Sequence, residues 1–213
     1  MGLPEGVPLK SETMSADSAS IDLKHHFLIA MPGLEDALFG RSVVYLCEHS
    51  PQGAMGLIIN KASDLSLKDL FEKLDMPLRR ADLVQTPVLQ GGPVQTERGF
   101  VLHDPIHMDK PEEDGGSIYA STLQVPGGLE MTTSRDVLEA LSGGAGPRRV
   151  LVTLGYAAWG EGQLESELAE NAWLTVPAQP AVVFDTPLEQ RYDQALALLG
   201  LSSWMLSPEA GHA

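Results

Sequence analysis

The chain has 213 residues, enough for one domain with a hydrophobic core. Hydrophobic residues make up 43% and charged residues 20%, as in ordinary globular proteins, but the formal net charge is -15. That charge repels phosphate backbones and anionic membrane surfaces, no apolar run approaches the roughly 18 residues of a membrane helix, and a lone Cys47 makes no internal disulfide.

Residues 1–22 are polar, with Pro, Ser, Glu and Asp, and are expected to be a disordered tail. They lack the basic start and apolar core of a secretory signal, so a cytosolic protein is expected. One domain should occupy 23–207, with a short tail over 208–213. The apolar run from Phe27 to Met31, stopped by Pro32-Gly33, reads as a buried strand. His25-His26 leads into it, and Leu34–Phe39 reads as a brief helical turn.

A β-hairpin follows. Ser42–His49 is rich in β-branched and aromatic residues, Ser50-Pro51-Gln52-Gly53 is turn chemistry, and Ala54–Asn60 returns. Gly56 inside the return strand predicts a bulge or the close approach of another backbone. Leu67, Leu70, Phe71 and Leu74 then fall at helical spacing, with Asp64 or Ser66 as the cap and Pro77 beyond the end. Pro87–Gln90 and Gly99–His103 read as strands on either side of a Gly91-Gly92-Pro93 turn. Asp104–Gly116 reads as a polar surface excursion.

Ser117–Ala120 and Leu129–Thr132 are further strand candidates, and Thr133 or Ser134 caps a short helix carrying Val137, Leu138 and Leu141. Arg149–Leu154 reads as the central buried strand, followed by a glycine-rich turn and a helix over Gln163–Ala172. Ala181–Phe184 reads as the last strand. The final helix has Thr186 at its N-cap, Pro187 at N1, Glu189 at N3 and Gly200 as its stop, and buries Leu188, Tyr192, Ala195, Leu196 and Leu199. Hairpins mixed with strand-to-helix units favour an α+β fold over a regular doubly wound sheet. From Leu151 onward, Glu161, Glu165, Glu167, Glu170, Asp185, Glu189, Asp193 and Glu209 face Arg191 alone, which predicts an acidic face.

The stretch with the strongest pull toward a site is Gly155–Gln163. A glycine-rich turn at a helix start exposes backbone N–H groups to an anion, making Gly155, Trp159, Gly160 and Gly162 ligand candidates. The spacing is neither a P-loop nor G-x-G-x-x-G, and Glu161 and Glu165 stand where a phosphate would go. Close strand–helix packing around Tyr156, Trp159 and Trp173 is the plainer reading. Gln163, Glu167 and Asn171 repeat at i, i+4, i+8, a spacing that serves a metal or an acid–base pair, or simply a solvated helix face.

Two histidine neighbourhoods complete the candidates. In Cys47-Glu48-His49 a regular strand puts Cys47 and His49 on one side and Glu48 on the other. His103-Asp104 suggests a dyad to pair with Ser50 or Ser121, although no G-x-S-x-G elbow is present. His25, His26, His103 and His107 do not follow a zinc-site spacing. The basic doublets Arg79-Arg80 and Arg148-Arg149 sit in too acidic a chain, without a helix-turn-helix pattern, for direct nucleic-acid binding.

Several motifs in order resemble one family. They are F-L-I-A-M-P-G-L (Phe27–Leu34), V-V-Y-L-C-E-H (Val43–His49), G-A-M-G-L-I-I-N (Gly53–Asn60), L-Q-G-G-P-V (Leu89–Val94), R-G-F-V-L-H (Arg98–His103) and L-G-Y-A-A-W-G-E-G-Q-L-E-S-E-L with N-A-W-L. They look like the YqgE/AlgH family, from about residue 24 to 205. The resemblance implies a bacterial cytosolic protein whose α+β fold has a mixed, branched β-sheet, partly closed into a small barrel and flanked by helices. It brings no catalytic residue, metal or cofactor, and the AlgH name points to transcriptional regulation without supplying a DNA-binding element. The expected function is a non-enzymatic regulatory or interaction protein acting through a protein partner or small ligand. The alternative is an enzyme or metal- or small-ligand-binding protein using a His/carboxylate cluster of Glu48, His49, His103 and Glu167.

Overall fold

A computed structural model describes residues 22–106 and 117–206. The two chain ends, His107 and the excursion around Pro111 lie outside them. In chain order the elements are β1 (His26–Ala30), β2 (Val43–Ser50), β3 (Gly53–Ile58), β4 (Ala62–Ser66), α1 (Leu67–Lys73), β5 (Pro87–Gln90), β6 (Val94–His103), β7 (Thr122–Val125), β8 (Leu129–Thr132), α2 (Asp136–Ser142), β9 (Val150–Trp159), α3 (Gln163–Ala169), β10 (Trp173–Pro177), α4 (Pro180–Phe184) and α5 (Arg191–Ala197). One sheet runs β10-β1-β2-β3-β9-β6-β8-β7, and β4 with β5 branches from it.

The branch is made on β9. Along one edge β9 carries β6 in antiparallel register, from His103 opposite Val150 to Val94 opposite Tyr156. The other edge is shared: β5 pairs in parallel at Thr153 and Leu154, and β3 takes over in antiparallel register from Ala157 to Trp159. Gly91 sits at the changeover. Its N–H donates to the Leu154 carbonyl (2.8 Å), and its own carbonyl accepts from Ile58 N–H (2.9 Å). A Cβ at Gly91 would come under 3.0 Å from the Gly155 carbonyl oxygen, and one at Gly92 under 3.0 Å from the Tyr156 backbone. Gly155 completes the crossing at φ +72, where a Cβ would strike the Gly92 carbonyl oxygen.

The sheet curls into a half-barrel and buries both faces. Inside, Phe27, Ile29, Tyr45 and Leu57 meet Phe100, Leu102, Met131 and Leu151, closed by Val183 of α4 and Tyr192, Ala195 and Leu196 of α5. Alternate residues of the same strands, Leu28, Val44 and Ile58, point outward and pack with Trp159, Leu164 and Trp173 beneath α3. The outer face of β6 and β9, with Val101 and Val152, is covered by Leu67 and Phe71 of α1 and Val137 and Leu141 of α2. This is a mixed, branched α+β sheet partly closed into a barrel.

Several elements differ from the sequence expectation. The strand begun at Val150 does not stop before Gly155; it continues to Trp159, and the irregularity lies on β6, where the four residues between Val94 and Gly99 stand opposite Gly155 alone. The helix after it ends at Ala169, and Trp173–Pro177 forms the edge strand β10 beside β1. Ala181–Phe184 is helical rather than a strand: Pro180 supplies the N1 position, and the apolar run is a buried helix face. Ser117–Ala120 is bent chain, and the strand lies at Thr122–Val125.

Thr186 is not an N-cap. Its hydroxyl donates to the Ala181 carbonyl, and a 3-10 turn over Leu188–Gln190 precedes α5, with Leu199 37% exposed past its end. The capping box sits instead on α1, between Ser66 and Asp69. Nor do the acidic residues of the last third share a face. Those on α3 and those on α5 lie on opposite sides of the sheet, since the two helices cover opposite clusters.

Gly155→Ala should lower stability in urea by at least about 2 kcal/mol, from the left-handed φ and the collision with Gly92. Gly160→Ala meets nothing nearer than the Gln163 side chain at 3.9 Å and should leave the midpoint within about 0.5 kcal/mol.

Candidate functional site

The Trp159–Trp173 segment is organised by one carboxylate. Glu167 Oε2 accepts from both indoles, Trp159 Nε1 at 2.9 Å and Trp173 Nε1 at 2.7 Å, and Oε1 accepts from Gln163 Nε2 at 3.0 Å. The two rings meet edge to face at 5.9 Å, with Phe39 against Trp173 at 5.7 Å. Glu167 therefore ties the end of β9 to the start of β10 across α3. Three of its roughly four acceptor sites are taken by N–H donors.

The glycines beside it serve the turn. Gly162 stands at φ +70 before the helix, and Gln163 Oε1 accepts from Gly160 N–H at 3.0 Å. Gly155 lies well before this helix start, inside β9. Asn171 is exposed at φ +58 and turns the chain from α3 into β10.

Cys47, Glu48 and His49 are distributed by a bulge. Leu46 lies opposite Gly56 and Glu48 opposite Met55, which leaves Cys47 as the extra residue. The regular alternation that would pair Cys47 with His49 is broken. Cys47 packs inside the half-barrel, where burial raises its thiol pKa well above the ordinary value. His49 is on the outer side, its Nδ1 accepting from Leu23 N–H at 3.2 Å and its Nε2 donating to Glu165 Oε1 at 3.0 Å. The side chain of His49 is only 7% exposed, so it anchors the chain before β1 to β2 and α3.

His103 belongs to another region. It is fully buried between β6 and β8, with Nδ1 donating to the Asp104 carbonyl at 2.8 Å and Nε2 on the Thr132 hydroxyl at 2.9 Å, and Tyr119 edge-on at 5.6 Å. The Asp104 carboxylate turns away to a two-point pair with Arg149 at 2.8 and 2.7 Å. Glu48, His49, His103 and Glu167 thus occupy separate environments, and none bonds to another. Among the described residues, no group of three or more His, Cys, Asp or Glu is placed to hold a metal ion.

What the fold leaves open is a cleft of about 450 Å³ on the inner side of the sheet, where β3, β9 and β6 diverge. Met55, Phe100 and Tyr156 form its floor, the last two rings packing at 5.2 Å. Glu48 stands on one side, exposed and without a hydrogen bond or ion pair among the described residues. Opposite is Arg98, laid over Phe100 at 5.7 Å and held by Thr133 Oγ1 at 2.9 Å. Of the residues lining the cleft the sequence reading singles out Glu48 and Trp159, with Ser50 as a dyad partner, but not Arg98. Arg98 reaches the cleft because the β6 bulge and the left-handed Gln95 (φ 49) lift this stretch off β9, which no local pattern announces.

The AlgH-like family model (DUF179) matches residues 27–204. A UPF0301 protein of Variovorax paradoxus is 72% identical over 202 residues, covering 94% of this chain and all of the relative, and one of Polaromonas is 70% identical over 200 residues with the same coverage. The chain belongs to the AlgH-like family. The solution structure of AlgH from Pseudomonas aeruginosa matches with a TM-score of 0.70 at 49% identity, over 92% of this chain and 98% of that one. A crystal structure of a Corynebacterium diphtheriae protein shares the fold, with a TM-score of 0.63 at 20% identity over 82% of this chain and 85% of that one.

In this AlgH-like chain the motif around Trp159 and Glu167 is thus an internal clamp that closes the sheet edge over α3. Glu167→Ala should cost about 2–4 kcal/mol in chemical denaturation, because two indole N–H groups lose their acceptor together. Glu165→Ala, at a 54% exposed carboxylate, should cost under about 1 kcal/mol. Cys47 should stay unreactive toward a thiol reagent in the native protein and react on unfolding.

Proposed function

We propose that this protein is a non-enzymatic interaction module of the bacterial cytosol, and that the cleft at the divergence of β3, β9 and β6 is its recognition surface. The observation that carries this reading is the pairing of an uncommitted Glu48 with a positioned Arg98 across an apolar and aromatic floor. Its occupant is a segment of a partner protein that places an acidic side chain on Arg98, a basic one on Glu48 and an apolar one over Met55 and Tyr156. Barrel mouths are favoured places for such pockets, and opposite charges on facing walls select orientation more than raw affinity. Any influence on transcription passes through that partner, since a net charge of -15 opposes direct contact with a phosphate backbone.

A photo-crosslinking side chain introduced at exposed Ala158 in the cleft should capture the same protein reproducibly from a bacterial lysate. Capture should fall with rising salt and be lost in Arg98→Glu. A crosslinker at exposed Leu199 should not capture it. Capture that is indifferent to Arg98, or no cleft-specific species at all, would remove the basis for the proposal.

A further inference from the structure

The most unusual charge in the molecule lies at the other end of β9. A groove of about 310 Å³ runs between the start of β9 and α4 with the 3-10 turn that follows it. Three arginines line it, Arg148, Arg149 and Arg191, and no aspartate or glutamate does. In a chain of net charge -15 this is a local concentration of cations, although Asp104 and Asp185 pair with Arg149 from outside the lining.

The three cations are not equivalent. Arg149 is committed to Asp104 and, at 3.7 Å, to Asp185, and it lies over the Phe184 ring at 4.9 Å as part of the wall. Arg191 forms no ion pair among the described residues. Its Nε donates to the Thr186 carbonyl at 3.1 Å and its Nη1 to the Ile59 carbonyl, which fixes the plane of the guanidinium. Nη2 has no hydrogen-bond partner among the described residues and is not fully buried, and Arg191 lines the groove. Burial lowers the pKa of Arg191 to about 10, which leaves it charged at neutral pH. Arg148 is exposed at the rim and likewise has no carboxylate partner.

The rest of the wall is mostly apolar, with Leu89, Val183, Phe184 and Leu188 on it beside the hydroxyls of Thr86 and Thr186. Glu189 is near enough to favour the charged form of Arg191 but makes no ion pair with it, so the partly desolvated guanidinium has no direct counter-ion, and an anion arriving there gains a charge-assisted hydrogen bond. The volume suits a small molecule rather than a macromolecule. We propose that this groove is a binding site for a small amphipathic anion, its acidic group between Arg191 and Arg148 and its apolar body against Phe184 and Leu188. The site is separate from the cleft bearing Glu48 and Arg98, and neither proposal depends on the other.

The full-length protein is titrated with 4-phenylbutyrate, with the neutral 4-phenylbutan-1-ol and with acetate, followed by amide chemical shifts. Phenylbutyrate should shift the amides of Val183, Phe184 and Leu188 saturably and bind at least about tenfold more tightly than either the alcohol or acetate. Because Arg191 also supports two backbone carbonyls, the deciding variant is Arg148→Glu at the exposed rim. It should weaken phenylbutyrate by about fivefold or more and leave the alcohol unchanged. Equal binding of acid and alcohol, acetate as tight as phenylbutyrate, shifts confined elsewhere, no saturable binding, or an Arg148→Glu protein that binds as well as the original would each overturn the proposal.

Discussion

The fold depends on one backbone crossing. Gly91 and Gly92 pass over Gly155 with no room for a Cβ on any of the three, and at that point β9 exchanges β5 for β3 along the same edge. A sheet that changes partners in mid-strand has to bring three backbones together, and hydrogen bonds through Gly91 to Leu154 and Ile58 satisfy the groups that would otherwise be buried unpaired. The half-barrel interior and the two helix-covered outer faces are arranged around it.

The cleft and the arginine-lined groove follow from the same strand. Beyond the crossing β6 lifts away from β9, and the uncovered inner face becomes the cleft of Met55, Phe100 and Tyr156. Before it, the start of β9 lies beside α4 and leaves the arginine-lined groove. The conspicuous polar groups of the signature motifs are meanwhile occupied by structure: Glu167 by two indoles, His49 by Leu23 and Glu165, His103 by Asp104 and Thr132. The surfaces with free charge are built from residues distant in sequence, Glu48 with Arg98 and Arg148 with Arg191.

This division explains what was legible beforehand. The α+β class, the first hairpin, the amphipathic α1 and the buried β9 follow from local periodicity, and Gly56 marks a close approach. A Cβ on it would come under 3.0 Å from Val44 Cγ1 and the Tyr45 carbonyl oxygen. Three readings differ from the structure. Gly155 looks like a turn residue but lies inside β9, opposite the bulge of β6, Ala181–Phe184 looks like a strand but is a short helix begun by Pro180, and the Cys47 bulge reverses the faces of Glu48 and His49. At Gly155 and Cys47 strand pairing outweighs the local pattern, whereas at Ala181–Phe184 the deciding residue, Pro180, is itself a local helix-start signal. For the sites, sequence marks residue types, whereas the double acceptor at Glu167 and the acid-free lining around Arg191 exist only after folding.

The crossing is tested most directly by native-state hydrogen exchange of two amides, Gly91 N–H and Ile58 N–H, which bond to Leu154 and Gly91. If the crossing is the last feature to open, both should exchange only through global unfolding, with protection equal to the full stability and shifting with denaturant as unfolding does. Exchange of either amide through a local opening, several kcal/mol below the global value and insensitive to denaturant, would contradict the account.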